Sequence, residues 1–100
     1  MLPPVHPGEI LAEELEERGL NGSQAARALA IPQSRVSNIL RGRTGITADT
    51  ALRLGLWLGT GPELWINMQK SYELRLAEQT SGDAIRESVK PIGSEGTRAA

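Results

Sequence analysis

The sequence predicts an all-α protein of five helices, and three observations carry that expectation. Apolar residues recur at the three- and four-residue spacing of a helix face in successive stretches of the chain. Most of these stretches open on a residue suited to a helix start and close on a glycine or proline that stops one. The connections between them are only a few residues long, which favours helices packed around one core.

Taken in order, Met1–His6 reads as an extended lead-in, because Pro3 and Pro4 disfavour helix. Pro7 suits a first helical turn, the acids after it suit the positive end of the helix dipole, and Ile10, Leu11 and Leu15 keep helical spacing until Gly19. That predicts a first helix near 7–18. Asn21 is a good N-cap for a second helix over about 22–29, interrupted by Ala30, Ile31 and Pro32. A third, about 33–41, turns Val36, Ile39 and Leu40 inward and ends at Gly42. Thr47 caps a fourth over about 48–58, closed by Gly59. Pro62 opens a fifth over about 62–79, with Leu64, Trp65, Met68, Tyr72 and Leu76 on related faces. From Thr80 the chain turns polar and glycine-rich, so 1–79 is expected to be the folded domain and 80–100 a tail, disordered over 93–100.

Composition narrows the function classes. The 100 residues suit one domain with a modest core. No apolar run approaches a membrane span, and the acidic amino end is unlike a signal peptide, so a cytoplasmic protein without a membrane partner is expected. The lack of cysteine removes disulfides, thiol catalysis and thiolate metal sites. Two Trp and one Tyr are too few aromatics for a base-stacking platform. A net charge of −1, taken as an average, argues against DNA, but the average hides an asymmetry. Residues 1–20 set Glu9, Glu13, Glu14, Glu16 and Glu17 against Arg18 alone. Residues 21–53 set Arg27, Arg35, Arg41, Arg43 and Arg53 against Asp49 alone. Every base in that middle block is arginine, whose planar fork suits phosphates and guanine edges.

Two short helices about three residues apart, the second rich in Arg and short polar side chains, have the layout of a DNA-binding helix-turn-helix near 22–41. Ala26 supplies the small residue that such a crossing needs, and Ala25, Leu29, Ile31, Val36 and Ile39 fall where the pair must be held together. Gln33, Ser34, Arg35, Ser37 and Asn38 have the reach and chemistry to read base edges, and Arg41 shares their helix face. Gly22 and Ser23 can offer backbone N–H groups to phosphate, with Arg41 and Arg43 as phosphate cations. Two departures stand out. Ala30 occupies a turn position that favours a left-handed glycine, and Gly22 stands where a Gln often reaches a phosphate.

The stretch from His6 to Leu74 resembles the HigA-type antitoxins, XRE-like helix-turn-helix proteins paired with a HigB toxin. The resemblance rests on His6-Pro7-Gly8-Glu9-Ile10-Leu11 and on Val36-Ser37-Asn38-Ile39-Leu40-Arg41-Gly42. It extends through Gly45-Ile46-Thr47-Ala48-Asp49-Thr50-Ala51-Leu52-Arg53-Leu54 and Leu58-Gly59-Thr60-Gly61-Pro62-Glu63-Leu64-Trp65 to Tyr72-Glu73-Leu74. It implies an XRE/lambda-repressor-like domain and a cytoplasmic homodimer. Such a dimer binds double-stranded operator DNA, represses its own operon and neutralises a HigB/RelE-like mRNA-cleaving toxin. It carries base reading to Gln33, Ser34, Ser37 and Asn38, and places Arg35, Arg41 and Arg43 on bases or phosphates. The chain departs from the pattern at Leu56-Trp57, where the family usually has Arg and a small residue. A stand-alone regulator of the same fold without a toxin is the alternative.

Other features have plainer readings. His6 and Glu9 at i, i+3 could be half a metal site, but with one His and no Cys a capping or packing role fits better, and no metal or cofactor is expected. No nucleophile–base–orienter set assembles, so the chain does not read as an enzyme. The acids Glu13, Glu16 and Glu17 either form a solvated face or meet a basic toxin. The fourth helix is apolar almost all round, which makes Leu56 and Trp57, or Trp65 and Met68 on the fifth, candidates for a dimer interface.

Overall fold

Side chains cap the starts of three of the helices. A computed structural model describes residues 3–93, and these contain five α-helices and no strand: α1 (Pro7–Glu17), α2 (Gly22–Leu29), α3 (Gln33–Leu40), α4 (Ala48–Leu58) and α5 (Glu63–Ser88). His6 caps α1, its Nδ1 accepting from the Gly8 N–H at 2.9 Å. Asn21 and Gln24 form a reciprocal capping box on α2, each side chain accepting from the other's backbone N–H at 2.8 Å. Thr47 caps α4 by accepting from the Thr50 N–H. None of the helices is long and apolar enough to cross a membrane.

The core is Leu11 and Leu15 of α1, Ala25, Ala26 and Leu29 of α2, Ile31, Val36 and Ile39, then Ile46, Ala51, Leu54 and Trp65. Each fully buried Leu, Ile or Val contributes on the order of 1.5–3 kcal/mol over leaving it exposed. The six residues expected to bind α2 to α3 are all in this set. Two close approaches also need glycine. A Cβ on Gly8 would lie 1.9 Å from the Ile39 carbonyl oxygen, so α1 can dock on the end of α3 only without one. A Cβ on Gly55 would lie 2.4 Å from the backbone of Gly61, where α4 meets the turn into α5. Beside Gly8, the His6 ring packs edge-on against Tyr72 with centroids 4.9 Å apart, tying the start of α1 to α5.

Two expectations change. Trp65 is 1% exposed and its indole N–H donates to Thr60 Oγ1 at 2.9 Å. It belongs to the chain's own core and is removed from the surface available to a second copy. The other change is that α5 continues through Ser88 instead of giving way to a tail after 79. The polar stretch that suggested loop instead satisfies itself locally. Thr80 Oγ1 donates to the Leu76 carbonyl at 2.9 Å, Ser88 Oγ donates to that of Ala84, and Arg86 reaches both Asp83 and Glu78. The arms of Glu78 and Arg86 fold over Gly82. Apart from Gly93, the stretch expected to be disordered, 93–100, lies outside the described residues.

Ala30 ends α2 at φ 58, ψ 45, the one non-glycine residue with positive φ among those described. A left-handed alanine costs about 1–2 kcal/mol, and glycine would return part of that gain as extra unfolded-state freedom, about 0.5–1 kcal/mol. Ala30→Gly should therefore stabilise the fold by about 0.5–1 kcal/mol in urea unfolding. Gly8→Ala should cost at least about 2 kcal/mol, since the clash is with backbone. Equal stabilities for the two variants would refute both assignments.

Candidate nucleic-acid interface

Packing decides which residues of α3 are left for a ligand. Val36 and Ile39 are buried against α1 and α2, which turns the opposite side of α3 outward. That side carries Gln33 and Ser34, both exposed, then the half-buried Ser37 and Asn38, and Arg41 just past the helix end. The spacing i, i+1, i+4, i+5, i+8 is one helix face. Among the described residues none of the side chains of Gln33, Ser34, Ser37 and Asn38 forms a hydrogen bond within the chain. Four polar side chains on a rigid helix therefore present unused donors and acceptors.

Arg35 does not share that face. At roughly 100° per residue it falls beside Ile39, toward α4. There its guanidinium donates from Nη2 to Asp49 Oδ1 at 2.8 Å and to Thr50 Oγ1 at 2.9 Å. Asp49 also accepts from Arg53 Nε at 2.7 Å, and Arg53 Nη1 donates onward to the Leu29 carbonyl at 2.9 Å and more weakly to that of Ala30. The hydrogen bond from Arg53, then that from Arg35, holds the Asp49 carboxyl below its ordinary pKa. Thus the α2–α3 turn, the first turn of α3 and the first turn of α4 are joined through one carboxylate.

The pairing sorts the five arginines. Arg35 and Arg53 are committed to Asp49, whereas Arg27, Arg41 and Arg43 make no ion pair with any described residue. Arg43 sits in a fixed loop, its N–H donating to the Asn38 carbonyl at 2.8 Å. Farther along that loop, the buried Gln69 of α5 accepts from the Ile46 N–H at 2.8 Å and donates to Glu73 at 2.9 Å. That bond, with Lys70 beside it, holds the Glu73 carboxyl below its usual range. Gly22 and Ser23 sit half-buried at the first turn of α2, where backbone N–H groups lack helical partners. Arg27 lies one turn beyond Ser23 on the same side of α2 and was not singled out from the sequence. Its i, i+4 spacing from Ser23 was the available signal.

The remaining candidates lie elsewhere. Glu13, Glu16 and Glu17 are exposed on α1 with no ion pair among the described residues, while Glu14 meets Arg18. Leu56 is 86% exposed on α4, and Trp57 lines a shallow depression with Ala28, Leu29 and Arg53. Met68 is half-buried at an apolar groove on α5.

The chain matches the helix-turn-helix family over residues 11–65. It is 49% identical over 79 residues to virulence-associated protein I of Dichelobacter nodosus, covering 78% of this chain and 73% of the relative. Its structure is similar to that of an addiction module antidote protein of the HigA family from Coxiella burnetii, with TM-score 0.88 and 49% identity over 90% of this chain and 99% of that one. It also resembles the Pseudomonas aeruginosa antitoxin HigA solved with the higBA promoter, with TM-score 0.86 and 39% identity over 89% of this chain and 98% of that one.

A carboxylate with a lowered folded-state pKa contributes stability above its unfolded value and loses it as pH falls through the folded one. The advantage of the wild-type chain over Asp49→Asn should therefore be complete at pH 6–7 and shrink below about pH 4. Urea unfolding at both pH values tests this. A difference independent of pH would mean that the Asp49 charge does not hold the junction.

Proposed function

From the premise that this chain belongs to the XRE-like helix-turn-helix family, in its HigA-type antitoxin branch, we propose that it binds operator DNA as a dimer, represses the operon that encodes it, and neutralises a HigB/RelE-like mRNA-cleaving toxin. The observation that carries the DNA reading is the outward face of α3. Among the described residues it bears Gln33, Ser34, Ser37 and Asn38 without side-chain partners, flanked by Arg41 and Arg43, which make no ion pair there. The similar antitoxin solved with its promoter supports the same reading.

In this mechanism α3 enters the major groove and its free side chains read base edges. The first-turn N–H groups of Gly22 and Ser23, with Arg27, Arg41 and Arg43, hold phosphates on either side. Arg35 contributes by fixing α3 to α4 through Asp49 instead of reading bases. A two-fold pair of such modules sets its recognition helices about 34 Å apart, one turn of DNA, on a palindromic site. The acidic face of α1 stays free for a partner of opposite charge, and an RNA-cleaving toxin is expected to be basic.

Titration against the promoter of the chain's own operon tests the first half. Asn38→Ala should cost about 1–3 kcal/mol at one operator position, whereas Arg41→Ala and Arg43→Ala should weaken all sequences alike. Each lost phosphate contact should reduce the salt slope by about 0.9. A uniform loss with Asn38→Ala would place that residue on the backbone instead. For the second half, the product of the neighbouring gene should co-purify with the chain, and reversing Glu13, Glu16 and Glu17 together should weaken capture and flatten its salt dependence. No capture by the wild-type chain would leave a stand-alone regulator.

A further inference from the structure

Among the described residues only three polar side chains are buried: His6, Thr50 and Gln69. His6 caps α1, and Thr50 belongs to the junction at the start of α4. Gln69 lies in the first half of α5, at a position that an apolar side chain would fill without carrying an amide out of water. Burying an amide is unfavourable unless its polar atoms find partners. Here both ends are engaged. Oε1 accepts from the Ile46 N–H at 2.8 Å, and Nε2 donates to Glu73 Oε2 at 2.9 Å. Glu73 decides which end points where. Gln69 and Lys70 favour its ionised form, and an ionised carboxylate only accepts. The amide therefore turns Nε2 to Glu73 and leaves Oε1 for the loop.

That loop, residues 41–47, joins α3 to α4 and carries Arg41 and Arg43. At its near end it hangs from α3. The Gly42 N–H donates to the Ile39 carbonyl at 3.0 Å, and those of Arg43 and Thr44 donate to the Asn38 carbonyl at 2.8 and 3.4 Å. At its far end, among the described residues, Gln69 makes the only hydrogen bond that reaches residues 42–46 from outside α3 and the loop. The approach is also close. A Cβ on Gly45 would lie 2.6 Å from Gln69 Nε2, and the amide could yield only by giving up its bonds. Ile46 is 4% exposed beside it, whereas Arg43 and Thr44 are exposed.

We propose that Gln69 is the positioning residue of this loop: by holding Ile46 from α5, it fixes where Arg43 meets a DNA phosphate beside the recognition helix. Gln69 is buried and acts through the loop alone. Ordering a long arginine side chain on a phosphate costs conformational entropy, and a backbone fixed at both ends of the loop keeps that cost from growing. The α3 end supplies one attachment and Gln69 the other. Gly45 is glycine so that the loop can lie against the amide, and Glu73 keeps the amide turned the right way. The inference deepens the DNA reading of the proposed function and rests on it, by naming the residue outside the interface that sets the strength of one of its phosphate contacts.

Two readouts on the full-length chain test the hold on the loop. Without DNA, amide hydrogen exchange compares the Ile46 N–H with that of the core residue Ile39 in the same molecule, which cancels any change in global stability. The ratio of the two rates should rise at least tenfold in Gln69→Met, which keeps the side-chain length and removes the acceptor. On DNA, operator titrations between about 50 and 200 mM salt should show Gln69→Met losing affinity and salt slope together, the slope by up to about 0.9 for each subunit bound. That loss should fall to within about twofold in an Arg43→Ala background and persist in full beside Arg27→Ala, on the other phosphate flank. A general loosening of the fold would add to both alike. Gly45→Ala displaces the same amide from the loop side, so it should give the same pattern and serves if Gln69→Met does not fold. An unchanged Ile46 ratio, an unchanged operator affinity in the folded variants, or a loss fully additive with Arg43→Ala would overturn the proposal. A wild-type chain that ignores its operator sinks the DNA function alone, because the exchange ratio still judges the hold on the loop.

Discussion

The direction in which α3 presents its polar face depends on one carboxylate. Asp49 takes hydrogen bonds from Arg35 on α3 and Arg53 on α4, and Arg53 passes the connection to the carbonyls that end α2. Those carbonyls need a donor, because a helix terminus leaves its last C=O groups without partners. They lie beside Ala30, whose left-handed backbone is strained. Arg53 therefore supports the turn at the point where its sequence is weakest. The turn sets the angle between α2 and α3, so the direction in which α3 presents its polar face follows from this junction. The ions are largely exposed, so the effect is one of geometry more than of energy.

The same junction resolves the charge pattern. The central block holds five arginines against one acid. Asp49 engages two of the five, and the three left over flank the α3 face and the start of α2. A basic stretch of sequence has thus divided into a structural pair and three cations that make no ion pair among the described residues. The acids collect on α1, and a net charge near zero coexists with two surfaces of opposite sign.

Much of the fold could be read from local chemistry. The starts of α2 and α4 follow from Asn21 and Thr47, and the left-handed conformation of Ala30 from the turn it must make. The buried set of the α2–α3 pair follows from helical spacing. The end of α5 could not be read this way. Thr80, Ser81 and Gly82 are poor helix formers, yet the helix runs through them, with Thr80 bonded back to the Leu76 carbonyl and Arg86 bridging to Glu78 and Asp83. The burial of Trp65 escapes local reading for a related reason. Its spacing fits either side of an amphipathic helix, and only the approach of α4 and the bond to Thr60 make it core.

The sequence by itself determined where helices begin, which residues hold α2 to α3, and that Gln33, Ser34, Ser37 and Asn38 stand on one outward face. These are properties of neighbours within two turns, where spacing and capping act directly. Tertiary structure decided the rest: that Arg35, which helical spacing sets beside Ile39, finds Asp49 as its partner, that Gly8 must be glycine because Ile39 comes against it, and that α5 outruns the body that supports it. Each depends on groups distant in the chain meeting in space, and no local pattern encodes the distance at which they meet.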